Sequence, residues 1–244
     1  MISCEQEEIV EKYSDHFFSL LNVSVDHEIW HGDLITRLKS ASVPRQELKT
    51  LMLQYYFYVK DFARWLEAIY GNAQSPFEQA ALVNNIAEEK GRGAPGEKPH
   101  AVLLAELLAK MGIDLDERAL PLAKTQVAYS YFNDMSKNNA AWQALYAFGP
   151  GTEQISDLFL EPMENAIKTE YGFRGDIDYF LVHKEETEKE HAIAFKIAIA
   201  SHLESLPPSE RGFRMEEGLS ITLAAVEAHA TFFSGIQKLL TTLH

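Results

Sequence analysis

The chain has 244 residues, 46% of them hydrophobic, enough for a substantial core and too many for a disordered polymer. Its 22 Lys and Arg against 36 Asp and Glu leave a formal charge of −14, which argues against nucleic acid or an anionic membrane as the main partner. Cys4 is the only cysteine, which excludes an intramolecular disulfide, a thiolate zinc site and an iron–sulfur cluster within one chain.

The N-terminus, Met1-Ile-Ser-Cys-Glu-Gln-Glu-Glu8, is acidic where a signal peptide would be basic, and no run of about 18 apolar residues suggests a membrane span. A soluble cytoplasmic protein is expected. Apolar residues recur at helical spacing nearly throughout, and strand signals are almost absent, so the expected class is all-α. The first predicted helices cover about 5–22 and 27–40. The second opens on His27-Glu-Ile-Trp-His31, the His-Glu-x-x-His pattern of zinc peptidases. Its continuation, Gly32-Asp-Leu-Ile-Thr-Arg37, lacks a third histidine, and an all-helical chain lacks the strand that aligns a peptide substrate. A structural role is expected for this motif. A helix over about 45–71 then carries Tyr55, Tyr58, Phe62 and Trp65 at three- and four-residue spacing, the pattern of a core stripe.

Ser75-Pro-Phe-Glu78 announces a helix over about 76–90. It ends in Asn85-Ile-Ala-Glu-Glu-Lys-Gly91, where Glu88 and Glu89 sit against the negative end of the macrodipole, a misplacement that a nearby cation would relieve. Across the Gly/Pro-dense Gly91-Arg-Gly-Ala-Pro-Gly-Glu-Lys-Pro99, His100 opens a helix over about 99–111. Further helices are predicted over about 118–136, 139–148 and 152–170, the last with Thr152 as a cap and Glu153 in its first turn. A helix over about 174–204 contains His183-Lys-Glu-Glu-Thr-Glu-Lys-Glu-His191, and a final one covers about 214–242.

On a regular helix, positions seven apart lie about 20° from alignment and positions eight apart about 80°, so His183 faces Glu190 better than His191. Glu188 and His191 still form a Glu-x-x-His pair. One extra residue of winding near Thr187 would bring His183, Glu188 and His191 onto one face. Glu and His converging from three helices would make a nitrogen- and oxygen-rich cage, better suited to redox-active iron or manganese than to structural zinc. Each segment alone also reads as an ordinary charged helix surface. Helices of 25 residues or more, as over 45–71 and 174–204, would run roughly 40 Å and suit a bundle around a central pocket.

Taken together, the segments resemble a known family. Gln54-Tyr-Tyr-Phe-Tyr-Val-Lys-Asp-Phe-Ala-Arg-Trp-Leu66, Asn85-Ile-Ala-Glu-Glu-Lys-Gly-Arg-Gly93 with His100, Gly151-Thr-Glu153, and Tyr179-Phe-Leu-Val-His183 through Glu188-x-x-His191 occur in the order seen in the haem-oxygenase-like di-iron oxidases and oxygenases. The resemblance spans about residues 27 to 200. It implies a single-domain helical bundle over residues 1–244 with about seven core helices, in which three carboxylates and three histidines hold two irons. Glu89, His100, Glu153, His183, Glu188 and His191 match those six positions. The sequence departs from the family pattern in a longer gap between Glu89 and His100, in one extra residue in the last segment, and in Glu188 where Asp is usual. Thr187 stands where an unbulged helix would need the carboxylate.

The function this resemblance implies is an O2-activating, non-haem di-iron enzyme using two Fe(II) ions, O2 as co-substrate and an external electron donor. Its small-molecule substrate would be like an amino acid or a fatty acid. N-oxygenation, C–C cleavage or nitrile and alkene formation in natural product biosynthesis are the outcomes it implies, and a homodimer is a further expectation. Two alternatives remain. One is a cofactor-free relative of the same fold, like a pyrroloquinoline-quinone synthase or a thiaminase, although the latter needs a mid-chain cysteine and Cys4 is terminal. The other is a non-enzymatic iron-binding helical protein.

Overall fold

Two of the expected long helices are broken, and both breaks shape the interior. The structure, a computed structural model, describes residues 3–92, 96–115, 120–183 and 186–241, without the side chains of 186–190. In chain order its elements are α1 (Cys4–Lys12), α2 (Ser14–Val25), a 3-10 turn (Glu28–His31), α3 (Asp33–Lys39), α4 (Arg45–Val59), α5 (Phe62–Asn72), α6 (Pro76–Glu89) and α7 (His100–Lys110). Then follow α8 (Ala123–Asn138), α9 (Ala141–Phe148), a 3-10 turn (Glu153–Ile155), α10 (Asp157–Tyr171), α11 (Asp178–Leu181), α12 (Glu186–Ser205) and α13 (Pro208–Thr241). Among the described residues there is no strand.

Local chemistry accounts for where several helices begin. Ser75 Oγ accepts from the Glu78 amide at 3.2 Å, and the Glu78 carboxylate accepts from the Ser75 amide at 3.1 Å and the Gln74 amide at 2.7 Å. Pro76 occupies the first position of α6, where a missing N–H costs nothing. The break between α4 and α5 is tertiary in origin. The Asp61 carboxylate at the junction accepts from Arg64 at 3.0 Å and from the Tyr129 hydroxyl of α8 at 3.1 Å.

The second break separates α11 from α12. The extra residue between His183 and His191 was expected to show as added winding near Thr187 or as a local break around Glu185 to Glu190. In the structure α11 stops at Leu181, His183 lies in the turn beyond it, and α12 covers Glu186–Ser205, while residues 184–185 and the side chains of 186–190 lie outside the described residues.

The core is a continuous cluster dominated by aromatic rings. Tyr55, Tyr58, Phe62 and Trp65 are all buried, so the stripe read from the sequence does face inward. Its Trp65 ring meets Phe132 of α8 and Phe148 of α9 at 6.0 and 6.2 Å between centroids. Through the middle runs α13, 34 residues and about 50 Å long, packed on α8, α9 and α2. Its most apolar 18-residue window has a mean hydropathy of 1.3, which corrects the expectation that no stretch reaches membrane-spanning length and apolarity. Phe232, Phe233 and Ile236 are buried against the bundle, so α13 is apolar because it is the core's central element.

Buried histidines give this core a pH dependence. His16 is buried with Nε2 3.0 Å from the Tyr146 hydroxyl, and burial pushes its pKa down to about 4. Burial holds His229 at about 4 as well, against the opposing pull of the Gly151 backbone. The unfolded chain takes up these protons first, near the ordinary histidine value. Stability from the neutral rings is therefore complete above about pH 6.5 and is lost as pH falls toward 4. The urea midpoint is expected to fall across that window, and His16→Gln to flatten part of the fall. A midpoint as flat in the parent protein as in the variant would refute the assignment.

Candidate metal centre

Three turns and one helix end bring the candidate ligands together. Glu89 is the last residue of α6, and Gly91 reverses the chain immediately after it with φ 64°. A Cβ at Gly91 would lie 2.4 Å from the Lys98 carbonyl carbon, so only glycine lets the returning strand of chain pass this close. The reversal sets His100, first residue of α7, with Nδ1 3.0 Å from Glu89 Oε1. Both side chains are buried.

Glu153 enters from a second turn. A Cβ at Gly151 would lie 2.6 Å from Ala225 Cβ of α13, so this glycine lets the turn wedge between α9 and α13. Thr152 then donates its hydroxyl to the Ala147 carbonyl at 2.9 Å, and Glu153 projects into the interior, where Asn85 Nδ2 donates to its Oε1 at 2.8 Å.

His183 comes from the turn after α11. Its Nδ1 lies 2.7 Å from the Tyr179 carbonyl oxygen, which can only accept, so Nδ1 carries the proton and Nε2 presents a lone pair. Burial, reinforced by the neighbouring His100, holds the His183 pKa at about 4, which keeps that lone pair available at neutral pH. One donor atom from each of Glu89, His100 and His183 falls within 4.8 Å of the others, the spacing of a group that can hold a metal ion.

His191, on the first turns of α12, lies between two more carboxylates. Nε2 is 3.1 Å from Glu88 Oε2 and Nδ1 is 3.8 Å from Glu153 Oε2, and neither contact has hydrogen-bond geometry. Burial by itself would lower the pKa of His100 and of His191. The charge of Glu89 beside the first and of Glu153 beside the second outweighs it, and both end raised. The acids that oppose the α6 macrodipole therefore face imidazoles, which offsets their placement.

Of the six residues matched by the resemblance, Glu89, His100 and His183 form one tight group, and Glu153 shares a small cavity of about 40 Å³ with Glu89 and His183. His191 joins through Glu153 and Glu88. The Glu188 side chain lies outside the described residues. Asn85 and Tyr179 were not singled out by the sequence as parts of the site, and Glu88 was marked there only, with Glu89, as an acid that a nearby cation would relieve. Asn85 and Glu89 are four apart on α6, a one-face spacing that could have marked the first. No local signal marks Tyr179, because it acts through its backbone carbonyl.

Outside the cluster opens a cleft of about 720 Å³ between α10 and α12, with Glu153 and His183 at its inner wall. His27 and His31 take no part in either cavity. They flank a 3-10 turn, where positions four apart point about 120° apart instead of facing one metal. His27 Nδ1 accepts from the Ile29 amide at 3.2 Å, while buried Trp30 donates to the Ser24 carbonyl at 2.7 Å and fixes the turn. His31→Ala is expected to leave metal content and thermal stability unchanged. Loss of metal in that variant, measured by elemental analysis, would revive the zinc-peptidase reading.

Comparisons with known proteins agree on fold and family. Residues 49–217 match the family model described as iron-containing redox enzyme. A CADD-like protein of unknown function from Nostoc punctiforme superposes with a TM-score of 0.75 at 17% identity, over 93% of this chain and 98% of that one. A TenA family transcription regulator from Silicibacter has a TM-score of 0.69 at 16% identity, over 90% and 96% of the two chains. A domain of unknown function with a heme oxygenase-like fold from Shewanella denitrificans has a TM-score of 0.64 at 16% identity, over 100% and 95%. Identities this low establish the haem-oxygenase-like fold and nothing about substrate. No curated protein matches the chain.

Proposed function

Because this chain belongs to the iron-containing redox enzyme family, we propose that it is an O2-activating oxidase or oxygenase holding two Fe(II) ions. Its proposed ligands are Glu89, His100, Glu153, His183, Glu188 and His191. The observation that carries the reading is the close group of Glu89, His100 and His183, in which the Tyr179 carbonyl accepts the Nδ1 proton in a hydrogen bond and leaves the His183 Nε2 lone pair to coordinate. The donor set fits the group. It is all carboxylate and imidazole with no thiolate, and both His191 nitrogens are buried without a formed hydrogen bond among the described residues.

Iron bound there would supply the electrons that activate O2. The chain's own residues do the rest. Asn85 fixes the rotation of the Glu153 carboxylate, and Tyr179 fixes the His183 ring. Tyr55, Phe159 and Leu160 wall the inner cavity and keep water from it. The cleft between α10 and α12 receives the substrate, proposed to be amino-acid-like, and an external donor returns the electrons. A homodimer in the cytoplasm, in a specialised biosynthetic pathway, completes the proposal.

A thiaminase-like reaction is not favoured, because Cys4 is exposed on α1 and lines neither the inner cavity nor the cleft. Anaerobic Fe(II) titration should approach two irons per chain, with O2 uptake dependent on a member of an amino-acid and fatty-acid panel. Saturation by a single tightly held zinc would sink the proposal. Iron binding without substrate-dependent uptake would favour a non-enzymatic iron-binding protein.

A further inference from the structure

We propose that Lys196 anchors the carboxylate of the substrate in the cleft between α10 and α12, an assignment that rests on that cleft being the substrate channel of the iron site. Lys196 lines the cleft from α12, on the same wall as Ala192 and Ile193. It is half-buried, and burial lowers the pKa of its ammonium. Its described contact is with the Phe17 ring, 5.9 Å from the centroid, and among the described residues no carboxylate pairs with it. The other lysine of the cleft, Lys168, is already neutralised by Glu164 at 2.8 Å and Asp176 at 3.8 Å. A half-buried ammonium on a side chain that lines a cavity, held otherwise only by a ring face, has desolvation to recover, and a carboxylate in that cavity recovers it through charge-assisted hydrogen bonds.

The remaining charges narrow the ligand further. Asp157 and Glu161 of α10 line the same cleft one helical turn apart, and both are exposed. They repel a second anionic group and favour an ammonium. The class is therefore a monocarboxylate whose remainder is neutral or cationic. Lys196 stands five residues beyond His191, about 7.5 Å along the α12 axis. With its carboxylate held there, such a ligand presents to the cluster an atom several bonds away from that carboxylate.

Four six-carbon probes separate the terms: hexanoate, 6-aminohexanoate, hexylamine and adipate. Their binding to the iron-free protein is measured by calorimetry for the parent chain, Lys196→Met and Lys196→Arg. Hexanoate and 6-aminohexanoate are expected to bind at least about tenfold more tightly than hexylamine and adipate. Lys196→Met should lose that preference, and Lys196→Arg should retain it, since guanidinium also pairs with carboxylate. Thermal melts of both variants control for folding. Equal binding of hexanoate and hexylamine, an undiminished preference in Lys196→Met, or no carboxylate binding at millimolar concentration would each overturn the assignment. Fe(II) titration of the parent chain distinguishes the two readings. Normal iron loading without carboxylate preference removes the Lys196 anchor alone, whereas carboxylate preference without iron loading removes the iron reading and leaves an anion site.

Discussion

Replacing Glu153 with alanine is expected to abolish iron retention and with it any O2 uptake. Glu153 is buried, is aimed by Asn85, and borders both the inner cavity and the cleft. Loss of a partner that merely orients a ligand typically costs about 10–100-fold in metal affinity, so Asn85→Ala should fall in that range and Glu153→Ala beyond it. Glu153→Gln separates charge from shape, because its side-chain oxygen still accepts from Asn85 while the negative charge is gone. It should lose iron almost as completely as alanine. An independent sign comes from the iron-free protein. Glu153 is the main group raising the His191 pKa against burial, so in either variant the His191 resonance should titrate at lower pH. Full iron loading in Glu153→Ala would show that Glu153 is not a ligand and that the remaining residues hold the iron without it.

The second large effect is on stability and sets two rules against each other. Gly218 lies within α13, and helix propensity alone says that alanine there should gain up to about 1 kcal/mol. A Cβ at this position, however, would sit 2.3 Å from the Tyr146 ring carbons. Tyr146 is fully buried, and its hydroxyl is engaged with His16, so the ring has nowhere to move. Overpacking of this kind costs about 1–3 kcal/mol, and the clash wins. Gly218→Ala should lower Tm by several degrees, given about 2–4 °C per kcal/mol for a chain this size. Gly212, on the same helix, has nothing within 4 Å of its would-be Cβ, so Gly212→Ala should be neutral or stabilising. If both variants melt alike, the close approach of α9 and α13 at Gly218 is wrong.

What the sequence determined by itself is whatever depends on neighbours a few residues apart. Its periodicity specified an all-helical chain, and the Ser75 capping box specified the start of α6. The spacing of Tyr55, Tyr58, Phe62 and Trp65 specified an inward stripe, because helical geometry places such residues on one face whatever lies opposite. The order of its Glu and His segments was enough to carry the family resemblance that the comparisons support.

The tertiary structure decided the rest, and the reason is range. Asn85 meets Glu153 across 68 positions, and Lys196 gains its meaning only from the α10 wall facing it. The continuous apolar pattern over 45–71 gave no sign of its break, since a helix can stop where a distant side chain claims the junction, as Tyr129 claims Asp61. His27 and His31 have the spacing of a zinc pair, yet the burial of Trp30 winds them into a 3-10 turn that points them apart. The helical phase between His183 and His191 was likewise out of reach. A local pattern counts residues, but only packing decides whether the chain absorbs an odd one by winding tighter or by stopping and starting again.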